Sequence, residues 1–227
     1  MEERYDCPPM NFKQKLANFW YYHKWLTIAI AFFVVFIVIA TIQYIAKEDP
    51  DVTVMYVGDS HISEAEAEGI IKSLTPFVPD ENGDGKVVVD LRTYNLIDLT
   101  GFTAADQRKI EQAKAEYKRY KEDLQGGDAC ILMMSELYYK DLADNGALVD
   151  LYQIFLEYPA SSFDYYGMRL DSMRLGNDPG MNAIPDDTVL CLKFASALTF
   201  PELEDRIAED EKNMRLFREI VLNSEHR

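Results

Sequence analysis

Residues 26–46 read LTIAIAFFVVFIVIATIQYIA, 21 consecutive residues without a charge. At about 1.5 Å of rise per residue, a helix of that length spans roughly 30 Å, the thickness of a bilayer's hydrocarbon core. No polar face interrupts it, so the block is expected to cross a membrane rather than to lie inside a soluble core. It is longer than the apolar part of a secretory signal. The far end, Ile42-Gln43-Tyr44-Ile45-Ala46-Lys47, lacks a small-x-small cleavage pattern, so the chain reads as signal-anchored with the span retained. Cys7 lies well upstream and no cysteine follows the block to take a lipid, which leaves the helix itself as the anchor.

The flanks set the expected orientation. Phe19-Trp20-Tyr21-Tyr22-His23-Lys24-Trp25 places aromatic rings and a positive charge at the near interface, and Tyr44 with Lys47 marks the far one. Arg4, Lys13, Lys15 and Lys24 precede the span, whereas Glu48-Asp49-Pro50-Asp51 follows it, and the basic side of such a span stays in the cytoplasm. The expected order is a cytoplasmic tail over 1–24, a transmembrane helix over 25–47 and an extracytoplasmic domain over 51–227 in the cell membrane's outer space. Beyond Lys47 there are 18 basic residues against 36 acidic ones, a formal charge of −18. That balance argues against nucleic acid or an anionic lipid surface as the domain's partner.

Cys130 and Cys191 share the outer compartment, and an oxidising space allows them to pair. Both sit in apolar runs, ACILM and VLCL, where cysteine also serves as a small hydrophobe, so the two readings stand side by side. His23, His61 and His226 lie far apart, and none has cysteine at zinc-ligand spacing.

Beyond residue 51 strand and helix patterns alternate. VTVMYV over 52–57 is a β-rich run closed by Gly58, and Ser63-Glu64-Ala65-Glu66 reads as a capping box opening a helix to about residue 77. Strand patterns follow over 86–94, 128–134 and 188–194. Between the first two, a helix over 103–124 carries Ile110, Ala113, Tyr117, Tyr120 and Leu124 on one face and stops at Gly126-Gly127. A further helix runs from Ser135 to Asn145-Gly146, a helical turn covers 152–156, and GMRLDSMRL over 167–175 alternates like a strand. A last helix over 201–222 aligns Leu203, Ile207, Met214, Phe217 and Val221. The expected fold class is α/β: one membrane helix, then a single three-layer domain with a mostly parallel sheet.

The order strand, helix, strand, long helix, then Gly127-Asp128-Ala129-Cys130-Ile131-Leu132 and Gly146-Ala147-Leu148-Val149-Asp150-Leu151, resembles the first lobe of extracellular solute-binding proteins of bacterial ABC importers over residues 51 to 151. The aromatic entry into a single span resembles a group of membrane-anchored proteins of Gram-positive anaerobes. The resemblance implies a lobe-like fold and small-molecule binding. It also implies a second lobe to clamp the ligand, yet only about 75 residues follow residue 151, enough to finish the same sheet and add a helix.

Two stretches are candidate sites. In DENGDGKVVVDL, Asp80, Asn82, Asp84 and the carbonyl of Lys86 stand at the spacing of a calcium loop, with Gly85 at the turn, so calcium is the candidate cofactor. The position of the closing bidentate acid holds Leu91, and the following Val87-Val88-Val89 makes the context helix, loop, strand. The same Asn-Gly and Asp-Gly pairs also make a plain solvated turn. In SSFDYYG over 161–167, Asp164, Tyr165 and Tyr166 offer an acid and two rings that can stack on a sugar, or cover a core edge.

No G-x-S-x-G, H-E-x-x-H or Gly-rich phosphate loop is present. The preferred expectation is therefore a membrane-tethered, extracytoplasmic binding or interaction module, working on a small ligand or with a membrane or envelope protein partner. The rival is an envelope hydrolase with paired carboxylates acting on a glycan or peptide. A cleft with facing carboxylates separates the second from the first.

Overall fold

The computed structural model describes residues 11–45, 50–97, 99, 106–126 and 129–225. The start of the tail, Cys7, the far end of the span at Ala46-Lys47, the Gly127-Asp128 pair and His226 lie outside the described residues. The chain divides into two units, Met1–Glu48 and Asp49–Arg227.

The first unit is one helix, α1 (Phe12–Ile45). Its 34 residues span about 51 Å, more than a bilayer core requires, so the helical stretch takes in the aromatic belt as well as the apolar block. None of its 25-residue apolar window, Lys15–Ile39, is buried against protein, and its length and composition suit a membrane anchor or a signal sequence.

The second unit is α/β. Its elements are β1 (Val52–Gly58), α2 (Glu64–Leu74), β2 (Val89–Asn95), α3 (Gln107–Gly126), β3 (Ile131–Ser135), α4 (Glu136–Asp144), α5 (Leu151–Phe155), β4 (Gly167–Arg169), β5 (Thr188–Leu192) and α6 (Leu203–Glu225). They form one five-stranded sheet in the order β2-β1-β3-β5-β4. β1 pairs in parallel with β2 and β3, and β5 runs antiparallel to both β3 and β4. The sheet is thus mixed where the sequence suggested a mostly parallel one. The reason is the connection from β4 to β5, which is built of short 3-10 turns, begins and ends at the same edge of the sheet, and contains no crossover helix.

That connection also shortens an expected strand. GMRLDSMRL pairs only over Gly167–Arg169, and then Leu170–Ser172 and Leu175–Asn177 wind into 3-10 turns. The apolar residues stay inside regardless, because Leu170, Met173 and Leu175 are all buried by the turns.

Strand alternation sends side chains to two separate cores. On one face Val54, Tyr56, Ile131, Met133, Leu190 and Leu192 pack with Ile70 and Leu74 of α2 and with Leu216, Phe217, Ile220 and Val221 of α6. On the other, Met55, Val57, Leu132, Met134 and Cys191 pack with Tyr120 and Leu124 of α3 and Tyr139 and Leu142 of α4. Cys130, just ahead of β3, belongs to the first core and Cys191 of β5 to the second, and no disulfide joins them. Burial pushes the Cys191 thiol up, as expected of a small hydrophobe.

The expected helix stripes are only partly used. In α6 packing begins near Asn213, and Leu203 and Ile207 on the earlier turns are exposed. In α3 Tyr120 and Leu124 are buried while Tyr117 is half exposed.

The capping box is as the sequence suggested. Ser63 is the N-cap of α2, its backbone N–H donates to Glu66 at 2.8 Å, and the Glu66 N–H returns a bond to Ser63 Oγ at 3.4 Å. The hydroxyl and then the amide of Ser63 hold the Glu66 carboxyl below its usual range. A depressed carboxyl stabilises the fold above its unfolded pKa, and that contribution fades as pH falls through the lower, folded value. Ser63→Ala is therefore expected to cost about 1 kcal/mol in urea denaturation at neutral pH, with the difference from the parent chain shrinking in acid as Glu66 protonates.

Candidate functional site at the carboxyl edge of the sheet

In an open α/β sheet, ligands bind outside the carboxyl ends of the strands where the strand order reverses. Here β1 connects through α2 to β2 on one side, and the chain then returns through α3 to β3 on the other, so the reversal lies between β1 and β3. At that edge the register aligns a row across four strands. Gly58 pairs with Asn95, Val57 pairs with Met134 so that Gly58 and Ser135 flank the reversal, and Ser135 pairs with Thr188. Alternation along the strands puts all four residues on the α2 and α6 face.

This row carries polar atoms without partners. Among the described residues, Asn95 Oδ1, Thr188 Oγ1 and the Tyr56 hydroxyl are buried and accept or donate no hydrogen bond. Tyr56 and Thr188 have no exposed surface at all. The Tyr56 ring reaches the row because residue 58 is glycine: a Cβ there would overlap the phenol, lying 2.7 Å from its Cζ. Each such buried group costs about 1–3 kcal/mol of desolvation, so three of them along one edge are a standing cost to stability.

Acids dominate the rim. Burial raises the Tyr56 hydroxyl's pKa, and Asp59 and Asp187 push it further in the same direction. Ser60 lies close enough to moderate the shift without making a hydrogen bond of normal geometry. Glu136, the first residue of α4, receives Lys140 at 2.5 Å and Arg169 at 3.7 Å, and Lys140 chiefly holds its carboxyl below the ordinary range. Arg169, at the end of β4, stacks its guanidinium 4.9 Å from the Phe163 ring. At the start of α2 the capping box occupies the Ser63 and Glu66 amides, and the Glu66 carboxylate adds negative charge there. A hydroxyl, an amide and a phenol beneath acidic loops suit a neutral, hydroxyl-rich ligand that can both donate and accept.

The sequence-predicted residues lie on the loops into β2 and β4, whereas the row lies at the opposite edge, where β1, β2 and β3 end and antiparallel β5 begins. In the calcium-spaced loop, Asp80 accepts from the Gly83 and Gly85 amides at 2.7 and 2.9 Å, Asn82 from Asp84 at 2.9 Å, and Asp84 from the Lys86 N–H at 2.8 Å. Gly83 and Gly85 supply the positive φ that the turn requires, 71° and 83°. Asp51 fixes the loop from below, accepting from Glu81, Asn82 and Val88 at 2.8, 3.1 and 2.8 Å. Nearby acids are engaged elsewhere, Glu81 by Arg215 at 2.6 Å and Asp90 by Arg92 at 3.0 Å. Among the described residues no three acidic, histidine or cysteine side chains are grouped to hold a metal. The loop therefore folds on its own hydrogen bonds, and a calcium ion would have to share oxygens that already accept amides.

Asp164 likewise serves the fold. It accepts from the Tyr139 hydroxyl and from the Tyr166 and Gly167 amides, the latter two at 2.8 and 3.1 Å. Burial and this contact push the Tyr139 hydroxyl far up. Tyr165 is exposed and meets Tyr158 and Tyr166 edge-on, with centroids 5.5 and 6.5 Å apart, and Tyr158 in turn meets Tyr152 at 6.0 Å. Tyr152 and Tyr158 thus extend the predicted pair into a surface of four rings.

Tyr56, Asn95, Ser135 and Thr188 were missed by sequence reasoning. Their one signal is position, since each lies at or within two residues of the end of an apolar strand run. Comparison with protein-family models, with curated proteins and with solved structures finds no match to this chain.

Thr188→Val keeps the side chain's shape and removes an unsatisfied hydroxyl, so it is expected to stabilise the chain by about 1 kcal/mol in urea denaturation. Destabilisation would mean that the hydroxyl is satisfied within the fold. Asp51→Ala, which strands three amides, is expected to cost about 3 kcal/mol. Millimolar calcium added to the full chain in detergent is expected to move the melting temperature by less than about 1 °C, and a rise of several degrees would show that the loop holds the ion.

Proposed function

We propose that this chain is a membrane-tethered binding module whose α/β domain, similar to one lobe of a solute-binding protein, holds a small hydroxyl-rich ligand at the carboxyl edge of its sheet. The observation that carries this reading is the row of buried, unpartnered oxygens on Tyr56, Asn95 and Thr188 beside the strand-order reversal. The helices on both faces of the sheet are consistent with a three-layer lobe. The tether is α1, and Lys13, Lys15 and Lys24 ahead of its apolar stretch favour a cytoplasmic N-terminus with the acidic domain outside the cell. A partner in the membrane or envelope is compatible with this placement.

One observation favours a second reading, hydrolysis of a glycan or peptide. Asp59 and Asp187 both act on the Tyr56 hydroxyl, which puts two carboxylates near the row. Hydrolysis that disappears in Asp59→Asn and in Asp187→Asn would select it.

Calorimetric titration of the full chain in detergent with neutral mono- and disaccharides tests the binding reading. At least one sugar is expected to bind, and Thr188→Val and Asn95→Leu are each expected to weaken it by about tenfold or more. Absence of binding across the panel, or binding that both variants leave intact, overturns the proposal. Protease added to intact cells is expected to digest the domain from residue 51 onward, and a protected domain would reverse the orientation.

A further inference from the structure

The last turn of α2, the turn Thr75–Phe77 and the 3-10 segments around 174–180 line an open hollow of about 550 Å³. That lies within the size of small-ligand sites, and none of its lining residues belongs to the carboxyl-edge row, since they come from the far half of α2 and from the β4 to β5 connection.

Its floor is a close crossing of two backbones. A Cβ on Gly180 would fall 2.5 Å from the Gly69 carbonyl oxygen, so only glycine lets the turn approach α2. The crossing brings Asp178 to the helix. Ser73 Oγ donates to Asp178 Oδ1 at 2.5 Å, and the Gly180 N–H donates to the same oxygen at 3.0 Å. These bonds hold the Asp178 carboxyl below its ordinary range, with Arg174 and Lys72 adding to the effect. Oδ1 is thereby saturated by the protein, while Oδ2 has no hydrogen-bond partner among the described residues.

Opposite this fixed negative charge stand two positive ones. Lys72 and Arg174 are exposed, line the hollow, and close no ion pair among the described residues, although the domain is strongly acidic. The carbonyl end of α2 adds partial negative charge on the Asp178 side. Phe77 and Pro179 supply an apolar wall. A lone anion entering here meets Asp178, and a lone cation meets Lys72 and Arg174. A ligand carrying both signs satisfies all three.

We propose that this hollow is a binding site for a free α-amino acid with an apolar side chain, its ammonium on Asp178 Oδ2, its carboxylate on Arg174 and Lys72, and its side chain against Phe77 and Pro179. Recognition of this kind is independent of the carboxyl-edge row.

The test is calorimetric titration of the full chain in detergent with L-leucine and with two analogues that each lack one charge, isocaproate and isopentylamine. L-leucine is expected to bind, and each analogue to bind at least about tenfold more weakly. Arg174→Gln and Lys72→Gln, at exposed positions, are expected to weaken leucine by a similar factor with an unchanged melting temperature. Thr188→Val is expected to leave leucine binding intact. No binding at about 10 mM leucine, an analogue that binds as well as leucine, wild-type affinity in both charge variants, or loss of leucine binding in Thr188→Val each overturns the proposal.

Discussion

Three inner strands with no exposed residue, β1, β3 and β5, constrain everything else in the domain. Helices cover both faces, so water does not reach the strand centres and the side chains there must be apolar. Polar chemistry is then confined to the ends of the strands and to the outer surfaces of the helices. Oxygens left without partners at one strand end are therefore not a failure of packing in general. Three of them stand together beside the reversal of strand order, and the glycine at 58 makes room for one of them. In the function proposed above, a bound ligand relieves this cost.

The two ends of the sheet divide the work. Where strands begin, carboxylates are spent on the backbone: Asp51 and Asp80 shape the loop into β2, and Asp164 shapes the loop into β4. At the opposite edge, where β1 ends and antiparallel β5 begins, the loops keep acids such as Asp59 and Asp187 beside unpartnered groups. The acidity that runs through the whole domain thus has different physical meanings at different places, and abundance alone does not mark a site.

Much of the architecture was legible because burial on both faces leaves continuous apolar runs. VTVMYV, ILMM and TVLCL could hardly sit anywhere but in a covered sheet, and Ser63 to Glu66 announces the start of α2 by its own hydrogen bonds. The direction of β5 was not legible, because strand polarity depends on whether the preceding connection crosses the sheet, and the 3-10 turns after β4 have no strong signature. Leu203 and Ile207 continue the helical period of α6 beyond the body they would pack on, so periodicity overstated the buried stripe. The candidate row was hidden for a simpler reason. Asn95, Ser135 and Thr188 are single polar residues far apart in the chain, and only register brings them side by side. The calcium spacing and the Tyr165-Tyr166 pair drew attention because they are local, yet the structure gives Asp80 and Asp164 their work within the fold.

The central claim is that the unpartnered oxygens of the row belong to a binding site and not to the fold's own bonding. A crystal structure of the full chain that shows ordered solvent and bound small molecules tests it most directly. The account predicts non-protein density within hydrogen-bond distance of at least two of Tyr56, Asn95 and Thr188. Side chains turned so that each oxygen bonds another part of the chain, with no density along the edge, would contradict it.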